Sequence, residues 1–281
     1  MKLKDIFDMV VREGRAADPR SPQQIDALLA RRRKAHEEAP QRVKDATDPE
    51  TLLHPYDDSR VVHGDPDREV RRAMVGIDID VGELLLIDRL NGQNREKIDL
   101  AIAHHPSGAG FAQLDEVMEM QTDILDGFGV PITVAEDLVC ERRKEVKRRL
   151  HAANHYRTAD AARLLDIPFL CMHTPADNHA ATFLQNLFDG EKPASLAAIL
   201  DILLSLEEYR IASRRQVPPQ ILLGTPHARP GKIFVDMTGG TEGPKDIADS
   251  LVTAGVGTIV GMHLSEEHFR KFQGKHINVV V

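Results

Sequence analysis

The spacing of hydrophobic and polar positions changes several times along the chain, and each change marks an element. Residues 3–12 alternate at helical spacing. A polar stretch around 25–46 follows, with Arg31-Arg32-Arg33 and Glu37-Glu38 on neighbouring turns. Its interleaved charges predict an exposed helix with a solvated face rather than a nucleic-acid patch. Turn formers then crowd into Asp48-Pro49, His54-Pro55, Asp57-Asp58 and Gly64-Asp65-Pro66, so this segment reads as a connection. Apolar strand candidates at 72–79 and 98–103 flank a helical pattern over 81–90. Strand, helix, strand predicts a parallel pair with a covering crossover helix.

The rhythm continues with helix 112–128, strand 131–135, a charged helix 136–154, helix 159–165 and strand 169–173. Helices 180–189 and 195–206 lead to Pro218-Pro219, and a second βαβ unit begins with strand 231–237. After the turn Thr238-Gly239-Gly240-Thr241-Glu242-Gly243-Pro244 come helix 245–253, strand 257–260, helix 266–272 and strand 277–281. The expected fold is α/β: two βαβ-containing halves, sheets covered by helices, and a soft boundary near 190–230. A helical N-terminal segment, 1–55, precedes the α/β region at 56–281. No internal repeat survives counting, and there is no low-complexity tract.

At 281 residues the chain can form one large domain or two modest ones. Lys plus Arg number 36 against 44 Asp plus Glu, and the net charge of −8 makes nucleic acid a weak default partner. The longest apolar stretches, 196–206 and 277–281, fall far short of the roughly 20 residues a membrane helix needs. The amino terminus has no continuous apolar core or small-residue cleavage site, so no secretory signal is read there. Two cysteines, Cys140 and Cys171, are too few for a disulfide framework and read as buried thiols. The expectation is a cytoplasmic protein without membrane segments.

Candidate chemistry concentrates where two strands end. Leu100-Ala101-Ile102-Ala103-His104-His105-Pro106 delivers two imidazoles to a strand's carboxyl end, where open α/β sheets place their ligands. Adjacent strand residues point to opposite faces, so the pair can share one ion only if the strand has already ended, and can otherwise serve one ion each. Phe169-Leu170-Cys171-Met172-His173-Thr174-Pro175-Ala176-Asp177-Asn178-His179 puts a carboxylate and two imidazoles after another strand. Imidazole with carboxylate suits Zn, Fe, Mn or Ni rather than Ca. Asp177 can alternatively cap a helix starting near Ala180. His151 and His155 have a metal pair's spacing but sit on a basic, solvated helix face. Gly239-Gly240-Thr241-Glu242-Gly243 reads as a tight turn rather than a phosphate cradle.

These two motifs, with Tyr56-Asp57-Asp58-Ser59-Arg60 through Gly64-Asp65 and Lys232-Ile233-Phe234-Val235-Asp236-Met237-Thr238-Gly239-Gly240, resemble the Ngg-interacting factor three family. Its dinuclear-metal proteins are also known as GTP cyclohydrolase I type two. The likeness spans roughly 56–281 and departs in the polar stretch 25–50, which looks like an insertion. It implies two divalent ions per chain held by His104, His105 and Asp177, a distance of about 3.5–4 Å apart. It also implies hydrolysis of a purine nucleotide ring or a related cyclic amide or phosphoester, and a homo-oligomer, commonly a hexameric ring. His173 or His179 would then shuttle protons, since imidazole titrates near neutral pH. The family completes its site with a later His followed four residues on by Glu, and His263 and Glu267 have that spacing. A second register makes 277–281 the strand before that ligand pair and leaves His263 and Glu267 as surface residues. A non-catalytic alternative stays open, in which the ions hold an assembly or regulatory binding protein together.

Overall fold

The computed structural model describes residues 1–93 and 96–281. The chain divides into two compact units. Unit 1 comprises Met1–Met120, Arg143–His179 and Gly239–Thr241; unit 2 comprises Gln121–Arg142, Ala180–Thr238 and Glu242–Val281.

Unit 1 is built on four strands, β1 (Arg60–His63), β2 (Ala73–Gly76), β3 (Leu100–Ala103) and β4 (Phe169–Cys171), in the order β1-β4-β3-β2. The pairs β2–β3 and β3–β4 are parallel, whereas β1 runs antiparallel to β4 with Arg60 opposite Cys171. All residues of β3 and β4 are buried, as strands covered on both faces must be. Their side chains alternate between two cores. Ala101, Ala103, Phe169 and Cys171 pack with Leu84 and Ile87 of α3 (Val81–Asn91) and Ala162 of α6 (Arg157–Leu164). On the other face, Leu100, Ile102 and Leu170 meet Leu3, Ile6 and Phe7 of α1 (Leu3–Ala16). The Arg-rich stretch forms α2 (Pro22–Glu38), whose start is fixed by a capping box between Ser21 and Gln24.

Unit 2 repeats this topology with unrelated residues. Its strands β5 (Ile221–Leu223), β6 (Lys232–Asp236), β7 (Val256–Gly261) and β8 (Asn278–Val280) lie in the order β5-β8-β7-β6. Again the first strand is antiparallel to the last and the others are parallel. Ile233, Val235 and Met237 pack with Val260, Val280 and the helical residues Leu184, Phe188, Leu196, Ile199 and Leu203.

The structure bears out the α/β class with two βαβ-containing halves and corrects several elements. Residues 131–135 are not a strand, because α5 (Ile132–Leu150) begins there and the Pro131 carbonyl accepts from the main chains of Val134 and Ala135. The β-branched run Ile132-Thr133-Val134 favoured extension, but burial of Ala135, Val139 and Val146 beside exposed Ile132 and Val134 is helical. Expected helix 112–128 is broken into Ala109–Ala112, Leu114–Val117 and α4 (Met120–Gly127). Strands β1 and β5 were read as connections; both are short, half-buried and at a sheet edge. The helix expected to begin near Ala180 is α7 (Thr174–Glu191), six residues longer at its start. Of the two cysteines, Cys171 is buried as expected, but Cys140 is exposed. Gly239 and Gly240 have φ of 95° and 88°, and a Cβ on Gly240 would lie 2.9 Å from Val117 Cγ1, which fits the tight-turn reading. Among the described residues no helix is long and apolar enough to cross a membrane.

Candidate metal centre

His104 and His105 converge because β3 has ended before them. Their main-chain N–H groups donate to consecutive carbonyls, Gly76 and Ile77, at 2.9 Å each, which breaks the alternation of an extended strand. The rings lie with centroids 5.1 Å apart. His173 follows β4 on the neighbouring strand, its ring centroid 4.7 Å from that of His104 and 5.7 Å from that of His105. One nitrogen from each of the three imidazoles falls within a 4.8 Å set.

Each ring is held through a further contact. His173 Nδ1 lies 2.8 Å from Asp58 Oδ2, His105 Nδ1 lies 2.7 Å from Asp78 Oδ1, and His104 is hydrogen-bonded to the Met172 main chain. The topology explains the first of these. Because β1 is antiparallel to β4, residues preceding β1 lie at the end of the sheet where β4 finishes, which brings Asp58 beside His173. Asp58 is fully buried and also accepts from the hydroxyls of Thr174 at 2.6 Å and Ser59 at 3.1 Å. Ser59 Oγ in turn accepts the His173 main-chain N–H at 2.9 Å. Asp177, in the first turn of α7, puts Oδ1 3.4 Å from His104 Nε2 and Oδ2 3.7 Å from His173 Nε2.

The electrostatics separate His104 from His173. Burial pulls His104 down to about 4, helped by the neighbouring His173 and His105, so it is neutral at physiological pH. For His173, burial also opposes protonation, but the hydrogen bond and charge of Asp58 and the charge of Asp177 outweigh it and raise the pKa. Burial works to raise Asp58 as well, yet its bonds to His173, Thr174 and Ser59 hold the carboxyl below its usual range.

The residues fit a divalent transition ion by the chemistry of their donors. Imidazoles with a carboxylate suit such ions, and metal-binding histidines ordinarily tie their second nitrogen to a carboxylate or the main chain, as all three do here. The group can therefore bind metal.

Of the residues singled out from the sequence, the structure gathers His104, His105, His173 and Asp177. His179 is exposed and outside the imidazole group. His263 and Glu267 lie in unit 2, where His263 Nδ1 is 3.5 Å from Glu242 Oε1 and Glu267 is paired with Lys245 at 2.7 Å. Asp58 and Asp78 were missed as site residues. Asp58 stood in the aspartate-rich turn, but only the antiparallel pairing of β1 shows what it faces.

No family model matches the chain. No curated protein matches it either. Two solved structures do. Reduced HcgD from Methanocaldococcus jannaschii shares 13% identity at a TM-score of 0.48, covering 100% of this chain and 86% of that one, a likeness too distant to inform the site. The crystal structure of a NIF3 superfamily protein from Sphaerobacter thermophilus shares 30% identity at a TM-score of 0.71, covering 80% of each chain. With that identity over four-fifths of both chains, this chain belongs to the Ngg-interacting factor three (NIF3) superfamily.

Proposed function

We propose that the protein is a divalent-metal-dependent hydrolase whose ion is held in unit 1 by His104, His105, His173 and Asp177. The observation that carries the reading is the set of three imidazoles, each fixed by a further contact and each offering a nitrogen to one small volume. When bound, a divalent ion supplies Lewis-acid polarisation of an electrophile and acidification of water. Asp58 orients His173 and fixes which nitrogen faces the site, and Asp78 does the same for His105. Asp177, between His104 and His173, neutralises charge there and is the residue best placed to serve two ions, should a pair bind. On this reading His173 serves metal binding rather than proton transfer, and the shuttle role passes to the exposed His179. His263 and Glu267, engaged with Glu242 and Lys245, are assigned no ligand role.

Half of the His105 side chain is open to solvent, which favours catalysis over a closed structural site. The substrates that suit the chemistry are a purine nucleotide ring, a related cyclic amide or a phosphoester, and the subunit ring implied by the family likeness belongs to the same proposal. The test is turnover of such a panel by metal-loaded protein, with chelator-treated protein and His179→Ala alongside. Turnover that disappears with the chelator is expected. Absence of turnover, with metal binding undiminished in His105→Ala, would overturn the reading.

A further inference from the structure

Asp177 stands in the first turn of α7, and the N-terminal part of unit 1 grips that turn from two sides. One grip is steric. A Cβ on Gly14 of α1 would lie 2.6 Å from Pro175 Cβ and 2.9 Å from Pro175 Cα, so α1 seats directly on the turn at a residue with no side chain.

The other grip is polar. Asn178 Nδ2 donates to the Gly14 carbonyl at 3.1 Å and to the Tyr56 hydroxyl at 3.3 Å. The Tyr56 hydroxyl donates in turn to Asp18 Oδ2 at 3.0 Å. Arg20 clasps the same carboxylate, with Nη2 2.8 Å from Oδ2 and Nε 3.0 Å from Oδ1. Tyr56 and Asn178 are completely buried, as are the side chains of Asp18 and Arg20. Breaking any link of such a chain strands a polar group away from water, so the chain holds a single arrangement.

Helix geometry carries that constraint to Asp177. Successive residues of an α-helix lie about 100° apart around its axis, so Asn178 can face α1 and Tyr56 while Asp177 faces the imidazoles. Thr174, tied to Asp58 at 2.6 Å, fixes the start of the same turn. Any rotation of the turn would swing the Asp177 carboxylate away from His104 and His173.

We propose that Tyr56 is a positioning residue for the metal centre, aiming Asp177 through Asn178, with Asp18 and Arg20 as its anchor and Gly14 as the seat. The proposal rests on the metal-binding reading above. It gives the N-terminal segment a task in the site, although that segment supplies none of the four ligand residues.

The experiment compares the intact parent with Tyr56→Phe, Gly14→Ala and Ile87→Val. Zinc affinity is measured by chelator competition, and the visible spectrum of the cobalt(II)-loaded protein reports the ligands around the ion. Ile87 lies in the core on the opposite face of the sheet and controls for loss of packing alone. Tyr56→Phe and Gly14→Ala are expected to weaken zinc binding about tenfold, as for residues that orient ligands, and to move the cobalt spectrum towards that of Asp177→Ala. Ile87→Val is expected to keep the parent's affinity and spectrum. Should Gly14→Ala not fold, Tyr56→Phe decides, since it removes one oxygen and keeps the ring. Parent affinity and spectrum in Tyr56→Phe, or an equal loss in Ile87→Val, would overturn the proposal and leave the metal reading standing. A parent that binds neither zinc nor cobalt would overturn both.

Discussion

The two sheets share one topology and differ in what their strand ends carry. In unit 1, β3 and β4 finish in His104, His105 and His173, and the acidic residues around them serve those rings. In unit 2, β6 finishes in Asp236, β7 is followed by His263, and the imidazoles serve a carboxylate. Glu242 lies within 3.5 Å of His263 and 3.3 Å of His268, and also accepts the Ser265 main-chain N–H. Burial would raise Glu242, but those three contacts hold it far below the usual carboxylate range. His268 is saturated, with Nδ1 on Ser265 Oγ at 2.7 Å and Nε2 on the Gly243 carbonyl at 3.0 Å. Equivalent positions in a repeated fold thus produce converging nitrogens in one unit and a self-satisfied ion cluster in the other. Position at a strand's carboxyl end invites a site; the partners of the side chains decide what kind.

The largest effect that would break this comparison is loss of a converging ring. His173→Ala should abolish stoichiometric divalent-metal binding measured by elemental analysis, while His263→Ala and Glu267→Ala leave metal content unchanged. Next comes the support behind the ring. Asp58→Asn should weaken metal affinity about 10–100-fold, the range for residues that orient ligands. In the metal-free protein, loss of one member of this buried pair should lower unfolding free energy by about 3–5 kcal/mol in a denaturant titration.

Smaller effects follow from pH. His173 is raised above 6.5 in the folded protein, so its pairing with Asp58 contributes fully to metal-free stability below that value and is lost as pH rises through the raised pKa. Metal binding has the opposite sign, because His173 must lose its proton to bind, so affinity rises with pH over the same range. Calorimetry in buffers of different ionisation enthalpy should detect the released proton. The smallest effect belongs to unit 2. Burial lifts Asp236 to about 6, and the opposing charges of His268 and His263 do not restore it. The folded state therefore holds that proton more tightly than the unfolded chain, and stability falls as pH rises from about 4 to about 6. Asp236→Asn should flatten that slope in pH-dependent melts.

The sequence made the βαβ rhythm legible because buried parallel strands such as 100–103 are continuous apolar runs with helical periods between them. It also exposed His104, His105 and Asp177, since imidazoles and carboxylates after such runs are conspicuous. Three things were not legible. The Pro131 boundary failed because a short β-branched run satisfies strand and helix patterns equally well. The role of Asp58 depends on β1 being antiparallel to β4, a pairing between residues 111 apart in the case of Arg60 and Cys171. The repeat of topology between the two sheets is carried by strand order alone, so counting residues for self-similarity could not find it.

The central claim is that three imidazoles and a carboxylate of unit 1 hold a divalent ion. Metal content per chain after reconstitution with zinc, compared between the parent and its His104→Ala, His173→Ala and Asp177→Ala variants, tests it most directly. The account predicts at least one tightly held ion in the parent and a clear loss in each variant; a parent that binds no zinc, or variants that keep all of it, would contradict it.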